Sequence, residues 1–247
     1  MENKTPRLRD SARPHVQELY PLNQIPNEIV VKICGHVVFL VSVGRKDLSG
    51  DDFGDAFAQA INGTHLGRPV GITDVALGKM GWSVQTVKVS HPWKATGIRL
   101  ISGRNSPVYS YGIEDPLADV QKTGDAVLGI WNERINIAYA QFNVVRTLVL
   151  VRNEDLSQFV LFEEDTRPIR VTDYRWELNH NNNFLGIDKN SGETCFTWQP
   201  HGSQFTIHTR IPSNAKRFSV KKPVALDEKE FLLTLKFNES WVHTLDR

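Results

Sequence analysis

From Asn27 to Val43 the chain reads NEIVVKICGHVVFLVSV, so rich in Val and Ile that it predicts a strand, with a buried helix as the other reading. LSGDDFGDAFAQAING follows. Phe53, Phe57, Ala60 and Ile61 recur at helical spacing, Ser49 or Asp51 suits the cap, and Asn62-Gly63 suits the stop. GITDVALGKMGWSVQTVKVS then alternates around Gly78-Lys79 and predicts a hairpin, Gly71–Leu77 against Trp82–Ser90. Trp93 to Gly112 reads as a long loop with RLISGR as a candidate strand. Val127, Ile130, Trp131, Ile135 and Ala138 mark an amphipathic helix over 117–141. VVRTLVLVRN and SQFVLFEED are strands, the first fully buried. Residues 174–237 alternate short apolar runs with turn residues and read as mostly β. The four prolines and scattered charge of residues 1–26 suggest an irregular arm.

The expected fold is therefore α/β (α+β), a central mixed sheet flanked by helices with a β-rich C-terminal half. The expected divisions are an arm or subdomain over 1–45, a core over 46–165 and a β-rich region over 166–247, packed together as one unit. A length of 247 residues suits one large domain or two small ones. Its two cysteines, Cys34 and Cys195, exclude a disulfide scaffold and a four-cysteine zinc site, and fit a reducing, cytoplasmic compartment. The most apolar stretch, Val30–Val43, is interrupted by Lys32 and His36 and is too short to span a bilayer, so no membrane is expected. The basic N-terminus has no apolar segment behind it to make a signal peptide.

The net charge is only +1, but its distribution is uneven. No acid occurs from Val75 to Ile113 or from Thr194 to Leu226. The acids gather at Asp51–Asp55, Glu114–Glu133 and Glu154–Asp165. Two acid-free segments carrying Lys and Arg suit one positive face for a polyanion.

Candidate chemistry centres on the hairpin. Asp74 stands on its first strand in GITD and Lys88 near the end of its second in QTVK, with Asp55 on the preceding helix in FGDAF. In that order, followed by a long helix and a buried strand, residues 50–151 resemble the PD-(D/E)XK nuclease superfamily, which includes the type II restriction endonucleases. The resemblance implies a restriction-endonuclease-like core that cleaves double-stranded DNA with Mg²⁺. Asp74, helped by Asp55, would bind the metal, and Lys88 would position the attacking water. A homodimer would match a palindromic site, and the setting would be a bacterial or archaeal cytoplasm. The sequence departs from the pattern two residues before Lys88, where Thr86 replaces the usual acid. Gln85, turned inward by a bulge, or Glu133 from the long helix would then fill the vacant position. That departure also keeps open a DNA-binding or defence-associated module with an inactive core.

Two segments suit contact with DNA. RLISGRNSPVYSYG offers Arg99, Ser102, Arg104, Asn105 and Ser106, of which Arg and Asn pair with base edges and phosphates. FTWQPHGSQFTIHTR places Gln199, His201, Ser203 and Gln204 around a Pro-His-Gly turn. NHNNN has no following helix to make an HNH-type site, and neither a phosphate-binding GxxxxGK[ST] loop nor a GxSxG serine elbow is present.

Overall fold

The computed structural model describes residues 17–245. Residues 1–16 of the expected N-terminal arm lie outside that range. The segment expected to be a strand is helix α1 (Asn27–Ser42). Its buried residues, Ile29, Val30, Ile33 and Val37, follow the helical repeat. Val31 and Phe39, on the opposite side, stay exposed and give the run its strand-like density. Helix α2 (Gly50–Ile61) begins at Ser49, which exchanges hydrogen bonds with Asp52 in a capping box. It ends at Asn62 in the left-handed conformation, φ 54°.

Next come β1 (Thr64–Val70), β2 (Thr73–Leu77), β3 (Met80–Lys88), β4 (Gly97–Arg104), helix α3 (Pro107–Tyr111) and the long helix α4 (Val120–Gln141). After them run β5 (Val144–Arg152), β6 (Gln158–Asp165), β7 (Tyr174–Leu178), β8 (Phe184–Asp188), β9 (Thr194–Gln199), β10 (Gln204–Arg210), β11 (Lys216–Ser219) and α5 (Glu228–Thr234). The hairpin, long helix and buried strand fall within a few residues of their expected places. Edge strand β1, THLGRPV, has Gly and Pro in place of apolar alternation and escapes a pattern reading.

The strands form two sheets. The six-stranded one runs β1-β2-β3-β5-β6-β11, and its neighbours are antiparallel except β3 and β5, which are parallel. The five-stranded one runs β4-β10-β9-β8-β7 and is antiparallel throughout. Helices α1 and α2 cover one face of the mixed sheet, where Phe53, Phe57, Trp82, Leu148, Leu150 and Phe159 share a core. Burying each such phenylalanine contributes about 1.5–3 kcal/mol. On the other face Val149, Val151, Val160 and Phe162 meet Ile98 and Leu100 of β4. Beside them α4 inserts Val127, Leu128, Trp131 and Ile135 against Val145 and the aromatic residues Phe184, Trp198 and Phe205.

Pairings cross both divisions drawn from the sequence. Helix α1 shares its core with α2 across residue 45. Strand β4 joins the second sheet, and β11 closes the first from beyond residue 165. No described helix is long and apolar enough to cross a membrane.

Candidate active site

Strand alternation decides which polar residues meet. Trp82, Val84 and, further along, Thr86 and Lys88 point toward the α1–α2 side of β3, while Ser83 and Gln85 point away from it. Val75 pairs with Trp82, so Asp74 lies beside Ser83. Ser83 is in register with Thr147 of β5, and Thr147 with Glu164 of β6. Asp74, Ser83, Thr147 and Glu164 thus form a polar row across four strands, on the face turned toward α4 and the second sheet.

That row floors a cleft of about 290 Å³ between the two sheets. Gln85, Ser102 of β4, Arg134 and Trp131 of α4, and Thr209 of β10 are among its other walls. Gly71, in the turn before β2, sets the cleft's width. Its φ is +64°, and an added Cβ would stand 2.1 Å from the Arg134 carbonyl oxygen, so only glycine lets the turn approach α4 this closely.

Asp74 is half-buried. Its Oδ2 accepts the Val84 N–H at 2.8 Å and a long 3.5 Å contact from the Ser83 hydroxyl. Burial raises its pKa, and the Val84 hydrogen bond only partly offsets that. Gln85 donates from Nε2 to Ser83 Oγ at 3.3 Å. Arg134 donates to the carbonyl oxygens of Ser102 and Arg104, which fix its guanidinium at the cleft wall, and burial lowers its pKa. Glu164 is pushed up to about 7 by burial alone. The site therefore pairs a fixed cation with two carboxyls of raised pKa, a pattern frequent at reactive centres.

The structure brings Asp74, Gln85 and Ser102 into this cleft and leaves the other expected residues outside. Lys88 is corrected: it lies past the opposite face of β3, exposed, donating to Glu154 at 3.0 Å and 3.4 Å from Asp47. The Glu154 hydrogen bond, followed by the charge of Asp47, raises its pKa. Thr86 shares that side of β3, and its hydroxyl is buried without a partner. Asp55 is on α2, paired with His65 Nδ1 at 2.7 Å. Glu133 is exposed on α4, one residue from the wall that Arg134 builds. Gln85 faces the cleft without a bulge, because Asp74 is in register with the odd-numbered positions of β3.

The groups expected to contact DNA also divide. Arg99, Arg104 and His201 are exposed, and Gln199 and Gln204 are half-buried at the β9–β10 tip. Gln204 pairs with Arg104 across β10 and β4. Asn105 is fully buried; its Nδ2 donates to the Val127 carbonyl and its backbone carbonyl accepts from Trp198 Nε1, so it is corrected to a packing residue. Ser106 caps α3 by accepting the Tyr109 N–H. The carbonyl of Ser203 accepts the Asn105 N–H and ties the turn to β4.

Glu164 and Arg134 are the site residues that sequence reasoning missed. Alternation along QFVLFEED places Glu164 with Phe162 and Val160, away from Glu163, which was signal enough to separate it from the surface acids. Among the described residues no group of three or more His, Cys, Asp or Glu side chains is arranged to hold a metal ion. No family model matches the chain, and no curated protein or solved structure matches it at a significant level.

Proposed function

We propose that this cleft is the phosphodiester-cleaving centre of a Mg²⁺-dependent endonuclease acting on double-stranded DNA, a sequence-specific enzyme of the type II restriction kind. The observation that carries this reading is the meeting of Asp74, Gln85 and Arg134 in one cleft, where β2 and β3 precede the long helix α4 and β5, parallel to β3, follows it. Arg134, held by two backbone carbonyls, is ready to offset charge gathering on a phosphate. The exposed Arg99 and Arg104 on edge strand β4 would grip the backbone beside the cleft.

The donors suit a hard cation. Val84 and Ser83 both approach Asp74 at Oδ2, which leaves Oδ1 open among the described residues. Gln85 spends its amide nitrogen on Ser83 and keeps its oxygen. Mg²⁺ typically takes one or two such protein ligands and completes its shell with water and substrate phosphate. When bound it would supply charge neutralisation at the phosphate and acidify water. A homodimer in a bacterial or archaeal cytoplasm fits this function.

The test is incubation of unmodified plasmid or phage DNA with the protein, with Mg²⁺ or with EDTA, beside Asp74→Ala. Discrete Mg²⁺-dependent fragments are expected, absent from the variant, which should still bind DNA. Cleavage by the variant at the full rate would sink the assignment. The placement of Lys88 on the outer side of β3 favours a second reading, a DNA-binding module with an inactive core. Tight binding without cleavage by the unaltered protein is its expected result.

A further inference from the structure

Lys88 and Glu133 both lie outside the cleft, which leaves the handling of the water's proton without an owner. We infer that Glu164 is the general base of the cleft, taking the proton from the water that attacks the phosphodiester. The inference rests on the nuclease reading and adds a catalytic residue to it.

The placement is geometric. Glu164 projects from β6 into the cleft that Asp74 enters from β2. Three strand spacings of about 4.8 Å separate their backbones by about 14 Å. Both carboxyls stand on the cleft side of the sheet, at the two ends of the row, so a phosphate lying across the row can meet Asp74 at one end and a water against Glu164 at the other. The charged groups around Glu164 come from few elements. Asp74 lines the same cleft from β2 and Arg134 from α4, while Asp165 at the end of β6 and Arg167 just beyond it bind each other at 2.6 Å. Strands β3, β4, β5 and β10 present only Ser83, Gln85, Ser102, Thr147, Thr209 and apolar side chains. Burial brings its carboxyl to about 7, where a base is half-ionised at neutral pH.

The step balances with water as co-reactant. The water oxygen bonds to phosphorus and one of its protons passes to Glu164 Oε. The bond from phosphorus to the leaving sugar oxygen breaks, and its electron pair stays on that oxygen, which takes a proton from solvent. Glu164 then returns its proton to solvent.

The experiment compares the unaltered protein with Glu164→Gln, Glu164→Asp and Glu133→Gln, using a plasmid substrate with Mg²⁺ from pH 5.5 to 8.5. In parallel, the carboxyl carbon of each glutamate is followed by NMR as the pH changes. For the unaltered protein kcat/KM should fall tenfold per pH unit below about 7. A resonance titrating there should vanish in Glu164→Gln. That variant should lose about 100- to 10,000-fold in kcat and its acid limb together. Glu164→Asp should recover part of both, and Glu133→Gln should match the unaltered protein. A cleaving Glu164→Gln that keeps its rate and acid limb overturns the inference and leaves the nuclease reading standing. So does a Glu164 that titrates in the ordinary glutamate range. A protein that cleaves no DNA under any condition overturns both.

Discussion

Glu163 and Glu164 are neighbours in sequence and opposites in environment, because alternation along β6 sends them to different faces of the sheet. Glu163 is fully buried on the α1–α2 side, where it accepts from the Tyr20 hydroxyl and Trp82 Nε1, both at 2.8 Å, and from Arg146 at 3.0 Å. Removing Glu163 leaves the buried Arg146 with Glu18 as its remaining carboxylate partner, at 2.7 Å, and leaves Tyr20 and Trp82 without their charged acceptor. Glu163→Gln is therefore expected to lower stability by about 3–5 kcal/mol, read from urea unfolding. A loss below 1 kcal/mol would show that the amide replaces the carboxylate there. Glu164 carries the opposite sign. Burial raises its carboxyl from the usual 4.5 to about 7, so the folded protein disfavours the ionised form. Stability is untouched below pH 4.5, declines as the pH climbs to 7 and carries the whole penalty above it. Glu164→Gln should gain about 2 kcal/mol at pH 8, discounted for solvent at the cleft mouth, and nothing at pH 4. Melting at the two pH values checks this. Both residues sit in the acid-rich segment Glu154–Asp165, and the alternation of the strand SQFVLFEED is what tells them apart. Register likewise places Gln85, and not Lys88, beside Asp74. The sequence contained that parity, but which face of the hairpin points to the helices depends on packing by Trp82 and Val84.

At the scale of elements, Gly124 shows how a local rule yields to tertiary contact. Alanine in place of a helical glycine ordinarily stabilises by about 1 kcal/mol. In α4 the added Cβ would stand 2.1 Å from the Trp176 ring of β7. Gly124→Ala is expected to cost about 1–3 kcal/mol and to disturb the near-ultraviolet signal of Trp176. An unchanged melting temperature would show that β7 yields without loss. The capping box of α2 follows the local rule, and Ser49→Ala should cost about 1 kcal/mol in the same assay. Elements with caps and clean periodicity, α2, α4 and the β2–β3 hairpin, were legible in the sequence. Helix α1 was not, because its exposed Val31, Phe39 and Val43 fill the gaps in the helical stripe. Its length of 16 residues is the property that favours helix over strand.

Across the whole molecule the two sheets are woven from alternating stretches of chain. Strand β4 leaves the middle of the first sheet's sequence to edge the second, and β11 returns from the end of the second to edge the first. Thermal unfolding is therefore expected to be one transition, with far-ultraviolet and tryptophan signals coincident. A chain ended after Asp188, which lacks β9, β10 and β11, should lose that cooperativity. Two separated transitions in the full chain would show the sheets to be independent. Sequence patterns gave the strands but not this weave, since β4 pairs with β10 and β6 with β11 across stretches of chain too long to leave a local trace. The weave also bears on the order in which the protein is made. The cleft's walls run from Pro69 to Thr209, so its first wall emerges from the ribosome long before its last. No fragment released before Thr209 can carry the complete site, and whatever chemistry the cleft performs is withheld until that residue has been added.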